Sequence, residues 1–166
     1  MKQFLHIFNS SFLLPRKQTV FALNRIRMDI TVFYLFIILA VASIPALIKQ
    51  TFIDPITNVQ IHGFFLFIYF FIIYYLILII VVFCTISVIA YIAKWLAYLL
   101  KRKLHYAILW KMTAFATTIP TVLFTLLSIF FTLSNIFIVF AFIYVFVMLI
   151  CIITIYPQRK PKTITR

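Results

Sequence analysis

Residues that could carry acid–base or metal chemistry are few in this chain and lie far apart. It has two acidic residues, Asp29 and Asp54, at opposite ends of the uncharged run 30–48. General acid–base catalysis by paired carboxylates needs both groups at one site, and these two cannot meet within one chain. Asp54 and His62 share a loop, but two ligands do not complete a metal site. We therefore predict no catalytic residue, no metal site and no cofactor.

Hydroxyl groups recur at helical spacing in one uncharged stretch. Thr113, Thr117, Thr121 and Thr125 are four residues apart, so they lie along one side of a helix, and Pro120 interrupts the same stretch. In a membrane, small and hydroxylated side chains let helices pack closely and add interhelical hydrogen bonds of roughly 0.6–2 kcal/mol. We interpret these five residues as a helix-packing seam. The alternative is a polar groove around Pro120 for a lipid or a substrate.

The elements that must hold these residues are long apolar helices. The chain is 66% hydrophobic and only 10% charged, whereas an ordinary soluble domain is about one quarter charged. A helix needs about 20 apolar residues to cross the roughly 30 Å hydrocarbon core. The sequence therefore predicts an all-α, polytopic membrane protein that forms one membrane domain, with short interfacial amphipathic helices beside its spans. The four predicted transmembrane helices are 30–48, 64–93, 112–132 and 136–156.

The N-terminal segment, residues 1–28, is basic and has one apolar face. Phe4, Phe8 and Phe12 recur at helical spacing among polar residues. Aromatic rings on one face of a short helix can sit at the lipid headgroup boundary. We therefore expect a membrane-surface helix over residues 2–14.

The remaining connections are short. A second interfacial helix is expected near 94–105, because its basic and apolar residues fall mostly on different helical faces. Residues 49–62 form a small loop on the opposite side, and residues 157–166 form a basic tail. Pro45 lies near the end of the first span, where we expect it to kink or end the helix.

Positive charge is concentrated on one side of the predicted bundle. Fourteen of the fifteen Lys and Arg residues fall in 2–27, 94–111 and 159–166, and the other is Lys49. In a protein with four spans, these three segments lie on the same side of the membrane. The positive-inside rule predicts that this side is cytoplasmic. We interpret the net charge of +13 as contact with anionic lipid and not with nucleic acid. The residues predicted to contact headgroups are Arg16, Lys17, Arg25, Arg27, Lys101, Arg102, Lys103 and Lys111.

Basic, aromatic and proline motifs recur in two stretches of the chain. They are the stretch 101–127 with Tyr106, Leu109-Trp110-Lys111 and Pro120, and, nearer the N-terminus, Pro15-Arg16-Lys17, Arg25 and Ser43-Ile44-Pro45. Both stretches resemble a bacterial integral membrane family of unknown function. That family occurs in Gram-positive bacteria, some members are encoded with maltodextrin-utilisation genes, and it is distantly related to Yip-type proteins. The resemblance implies a fold and a location but no activity. The chain departs from the family at 49–62, where members usually have a larger extracellular region.

These patterns favour a structural role over catalysis. We expect a non-enzymatic, multi-pass protein of a bacterial plasma membrane, with both termini cytoplasmic. It would act as an accessory or scaffolding subunit, in contact with membrane lipids and with a membrane-protein partner or a second copy of itself. The alternative is a transport component for a small or lipidic substrate. The first reading depends on the hydroxyl seam and on the one-sided charge.

Overall fold

The protein is built from helices joined by short connections. The computed structural model describes residues 2–52, 63–102, 104–130 and 136–157, and no strand occurs among them. A π-helical turn, Phe70–Tyr75, lies between two of the α-helices. The α-helices are α1 (Lys2–Phe12), α2 (Lys17–Asn24), α3 (Met28–Phe52), α4 (Gly63–Tyr69), α5 (Leu76–Leu99), α6 (Tyr106–Ala116), α7 (Thr118–Phe130) and α8 (Ile136–Ile155).

Four of the helical stretches are long and apolar enough to cross a membrane, which confirms the predicted fold class. We refer to them in chain order as the first to fourth spans. Each has the length that the hydrocarbon core requires. Their bounds are Met28–Lys49, Phe67–Leu99, Tyr106–Phe130 and Ile136–Ile155.

The first span continues past its proline. α3 runs through Pro45 to Phe52, so of the two predicted outcomes, a kink or an end, the helix does not end at Pro45. A proline inside a helix removes one backbone hydrogen bond, and neighbouring side chains in a bundle can compensate for that loss. The nearby Ser43 hydroxyl donates to the carbonyl oxygen of Ala40 at 2.8 Å, and not to the carbonyl of Val41, which is the one that Pro45 leaves without its usual donor.

The connection between the second and third spans is a tight hairpin, not the interfacial helix expected near 94–105. α5 continues to Leu99 and α6 begins at Tyr106. The amide of Arg102 donates to Ala97 O at 2.9 Å and that of Lys101 to Tyr98 O at 3.0 Å. These bonds form a Schellman motif with Lys101 in its left-handed position, at φ 51°. Nothing in the sequence before this point ends α5, so the amphipathic pattern belongs to the end of a long helix.

The core of the bundle is centred on α6. Every residue from Leu109 to Ala116 is buried, and the helix contacts α2, α3, α5 and α8. A helix that is buried all round needs partners on every side, which these four helices provide. The third span was expected to start at residue 112, with 109–111 at its edge. In the structure, residues 109–111 lie in the best-packed part of the molecule.

The predicted N-terminal helix forms and packs one face on the bundle. α1 contacts α2 and α7, and Ile7 is buried. The Phe4 ring lies 5.2 Å from the Tyr34 ring of α3, measured between centroids. On the other face, Leu5 and Phe12 are exposed. This two-sided arrangement is typical of a helix lying at the edge of a bundle with apolar side chains turned towards lipid.

The π-helical turn in the second span aims a tyrosine at the first span. The Tyr75 hydroxyl donates to the carbonyl oxygen of Phe36 at 2.8 Å, and the ring of neighbouring Tyr74 stacks on Phe70 at 4.8 Å. A π-turn shifts the side chains that follow it around the helix axis, and single π-turns are frequent at functional positions. Here the turn satisfies a phenol that would otherwise lie unpaired among apolar groups.

Candidate functional site at the seam of the third span

Each hydroxyl of the predicted seam donates to its own helix. Thr113 Oγ1 donates to Leu109 O, and the same four-residue step repeats up the helix. All four threonine bonds measure 2.8 Å. Threonines in helices commonly bond the carbonyl of residue i−4, and such bonds often bend the helix. The donor capacity of the seam is therefore used within α6 and α7, which leaves the threonine oxygens as acceptors.

The third span is interrupted beside its proline. α6 ends at Ala116 and α7 begins at Thr118. Pro120 has no amide hydrogen, so the carbonyl of Ala116 loses its usual donor. The Thr117 and Thr121 hydroxyls do not compensate for this loss, because they donate to the carbonyls of Thr113 and Thr117, which also accept amide bonds at 3.0 Å.

The seam lies on a span that packs against the first span. α7 packs along α3, and α1 also contacts α7. Thr113 is fully buried and Pro120 is buried. Thr117, Thr121 and Thr125 are half-buried. Burial of small polar residues between two closely packed helices is the arrangement of a packing seam.

A polar cluster of three helices lies next to the seam. The hydroxyls of Tyr34 and Thr118 are 3.0 Å apart and hydrogen-bonded, and both residues are 1% exposed. Ser11 of α1 lies near Tyr34 and is itself buried, and its hydroxyl donates to Ile7 O at 2.8 Å. Among the predicted seam residues none makes this contact. Thr118 could have been suspected from its place beside the seam, but no sequence signal pairs it with Tyr34.

Lys111 joins the start of the third span to the turn before the first. Its ammonium group donates to Asn24 O at 2.6 Å and to Ile26 O at 2.9 Å, and the residue is 9% exposed. Asn24 is the last residue of α2, where a helix presents free carbonyls and a partial negative charge. We expected Lys111 to contact lipid headgroups. The structure instead places its ammonium group on these two carbonyls, which replace water as hydrogen-bond acceptors.

The stretch of the chain that holds the seam and Lys111 is similar to a known family. The sequence model of that family, which is described as a protein of unknown function, DUF1189, matches residues 49–155. The chain belongs to the DUF1189 family. That description names no activity. No match was found among curated proteins or among solved structures.

The other predicted headgroup residues of this DUF1189 protein lie mostly at its surface. Arg16, Lys17, Arg25 and Lys101 are exposed. Arg27 is exposed as well and pairs with Asp29, since its guanidinium nitrogen lies 2.8 Å from a carboxylate oxygen. An exposed ion pair of this kind contributes little to stability. Exposure leaves these side chains available to solvent or headgroups.

Of the remaining two, Arg102 belongs to the hairpin between the second and third spans. The Arg102 guanidinium donates to the carbonyl oxygen of Tyr156, just beyond α8. This contact ties the hairpin to the end of the fourth span. Lys103, which was also predicted to contact headgroups, lies outside the described residues.

Within the part of the DUF1189 chain that the structure describes, no three His, Cys, Asp or Glu side chains lie together. Asp54 and His62 lie outside that part, so the prediction that they form no metal site stays a prediction. Cys84 is exposed and Cys151 half-buried, and both are free thiols. At the seam, the threonine oxygens remain able to accept hydrogen bonds, because their hydroxyl hydrogens are donated to the carbonyls of their own helix.

Proposed function

We propose that this DUF1189 protein is a non-enzymatic accessory or scaffolding subunit of a plasma-membrane complex, and that it contacts anionic lipid through its basic residues. The proposal is supported by the contrast between the interior of the helix bundle and its outer surface. The polar groups of the third span are engaged within the bundle, while long apolar faces remain uncovered. Such a molecule is suited to packing against other membrane components.

The uncovered faces belong mainly to the second and fourth spans. Over their most apolar stretches, these spans are each only 22% buried, compared with 44% and 39% for the first and third. Ile80 on α5 and Phe140 on α8 are 53% and 65% exposed. In a membrane, such faces meet lipid or a partner helix, and association there depends on packing and not on escape from water. The proposed partner is a membrane protein or a second copy of this chain.

The proposed orientation puts both termini in the cytoplasm of a Gram-positive bacterium. It is supported by the distribution of Lys and Arg, fourteen of which lie in segments that share one side of a four-span bundle. Each cation held near an anionic headgroup surface contributes about 1 kcal/mol of attraction. The resemblance described from the sequence supports the bacterial group.

Photo-crosslinking in native membranes tests the proposal. A photoreactive amino acid would be placed singly at Phe33, Ile80 or Phe140, which are exposed positions on three different spans. We expect at least one position to give a crosslink to a protein, identified by mass spectrometry, and the others to give lipid adducts only. A chain that is monomeric after gentle extraction, with lipid adducts alone at all three positions, would contradict the accessory role.

A second candidate function is transport of a small or lipidic substrate. The observation that favours it is the helix break at Thr117, because discontinuous helices line the substrate sites of many transporters. Reconstitution in vesicles separates the two candidates. A solute flux that is lost in Thr121→Leu but kept in the matched variant Thr125→Leu would favour transport. Absence of flux in the native chain, together with a protein crosslink, would favour the accessory role.

A further inference from the structure

A groove of about 530 Å³ runs between the second and fourth spans. Its α5 wall includes Thr85, Val88 and Ile92, and its α8 wall includes Ile143 and Val147. The lining is apolar apart from the Thr85 hydroxyl and the Cys84 thiol. The groove lies on the outside of the bundle, on the two spans that are least buried.

The dimensions of the groove suit one lipid chain of one leaflet. From Cys84 to Ile92 the α5 wall rises by about 12 Å, at 1.5 Å per residue. One leaflet contributes about 15 Å of hydrocarbon, half of the roughly 30 Å core. An acyl chain that entered from the headgroup region of one leaflet would therefore occupy the length of the groove.

Trp95 indicates where the lipid headgroups begin, and it lies on the side of α5 that faces the groove. Trp95 follows Ile92 by three residues, which keeps it on the groove side of the helix, and it is 66% exposed. Exposed tryptophan concentrates where hydrocarbon meets headgroups. The hairpin residues Lys101 and Arg102 come next, and Arg102 donates to Tyr156 O at the end of α8. Both walls of the groove thus converge on a basic hairpin.

We propose that the groove between α5 and α8 binds one acyl chain of an anionic phospholipid, whose phosphate is held at Lys101 and Arg102. The apolar walls of the groove pack against the acyl chain, and the two cations attract the negatively charged headgroup. The long aliphatic stem of Lys101 allows its ammonium group to reach back towards a phosphate near Trp95, while the Arg102 guanidinium stays on Tyr156 O and adds its positive charge at the hairpin. A neutral lipid would fill the groove equally well but would lack the charge attraction. This site rests on the proposed function, of which it specifies the lipid contact.

Native mass spectrometry of the delipidated full chain tests the site, with phosphatidylglycerol as the probe and phosphatidylcholine as its neutral comparison. We expect one phosphatidylglycerol to bind more tightly than the next and more tightly than phosphatidylcholine. Val88→Trp should fill the groove with an indole ring, and we expect it to abolish the binding of this first phosphatidylglycerol. Val41→Trp is the matched control, because Val41 is similarly exposed but lies on α3. Ile143→Trp fills the groove from its other wall, so a folding defect in one variant does not decide the result.

The charge is tested separately. Lys101→Asn removes the cation but keeps a residue that tolerates positive φ, and we expect phosphatidylglycerol to bind about fivefold more weakly, with phosphatidylcholine unchanged. Lys49→Asn removes a cation at the far end of the first span and leaves both affinities unchanged. Equal affinity for the two lipids, or tight binding that survives both groove-filling variants, overturns the proposal. A dimer that Val88→Trp dissociates would assign the groove to a second copy and overturn it too.

Failure of this site can be told apart from failure of the proposed function. The protein can be extracted from the membrane in discs that keep the surrounding lipid. Enrichment of phosphatidylglycerol in these discs, relative to the membrane, measures headgroup contact over the whole surface of the protein. If the tight site is absent while this enrichment persists, only the groove proposal fails. If the enrichment is also absent, the proposed contact with anionic lipid fails as well.

Discussion

The Lys111 ammonium group lies 2.6 Å from the carbonyl oxygen of Asn24. This bond and its companion to Ile26 O hold the α2–α3 turn against the central helix α6. Hydrogen bonds from a charged donor contribute about 1.5–3 kcal/mol each. The two bonds therefore make Lys111 a structural residue at the base of the bundle.

Replacement of Lys111 by Met is expected to destabilise the protein strongly. The substitution keeps most of the apolar stem but leaves two carbonyls without their donor, so we expect a loss of about 2–4 kcal/mol in the free energy of unfolding. Thermal unfolding in detergent measures the effect. Lys94→Met is the matched control, because Lys94 is exposed on α5. Equal stability of the two variants would show that the Lys111 contact is not formed.

The bond between Tyr34 and Thr118 joins the first and third spans and can be tested by a double-mutant cycle. Tyr34→Phe and Thr118→Val each remove one partner, and each is expected to cost about 0.6–2 kcal/mol. Because both variants break the same bond, the double variant should cost less than the sum of the two. Strict additivity would argue against a shared bond.

The seam threonines are expected to respond differently. The Thr121 hydroxyl donates to the Thr117 carbonyl of its own helix, and that carbonyl already accepts an amide bond. Thr121→Val should therefore cost about 0.5 kcal/mol or less, because no bond between helices is lost. Thr118→Val is the comparison in the same unfolding measurement. A larger loss for Thr121→Val than for Thr118→Val would indicate a role that the seam geometry does not provide.

The hairpin offers a site for stabilisation. Lys101 adopts φ 51°, where a residue with a side chain costs roughly 1 kcal/mol and glycine is unstrained. Lys101→Gly is thus expected to raise the free energy of unfolding by about 0.5–1 kcal/mol. Lys101→Val should lower it, since a β-branched residue fits this region worst. A gain in stability from Val would contradict the Schellman geometry.

The sequence predicted four long apolar helices because their signal is local. The fourth span was expected at 136–156 and is observed at Ile136–Ile155. The first was expected at 30–48 and lies within the longer α3. Uncharged runs bounded by cations or turn residues define such helices without knowledge of their neighbours.

The sequence could not predict contacts that depend on which helices pack against each other. The uncharged run that begins directly after Lys111 predicts that the third span starts at residue 112. Burial of Lys111 becomes possible only when the carbonyls of Asn24 and Ile26 are brought to it from 87 and 85 residues away. The Tyr34–Thr118 bond likewise spans 84 residues. Periodicity within one helix contains no information on such pairs.

Cysteine labelling of intact cells tests the four-span arrangement most directly. In a background with Cys84→Ser and Cys151→Ser, single cysteines would replace Lys49 and Lys101, and a membrane-impermeant thiol reagent would be applied before and after lysis. We expect the cysteine at position 49 to react in intact cells and the one at position 101 to react only after lysis. Reaction at position 101 in intact cells would contradict the cytoplasmic placement of the hairpin and with it the one-sided distribution of charge.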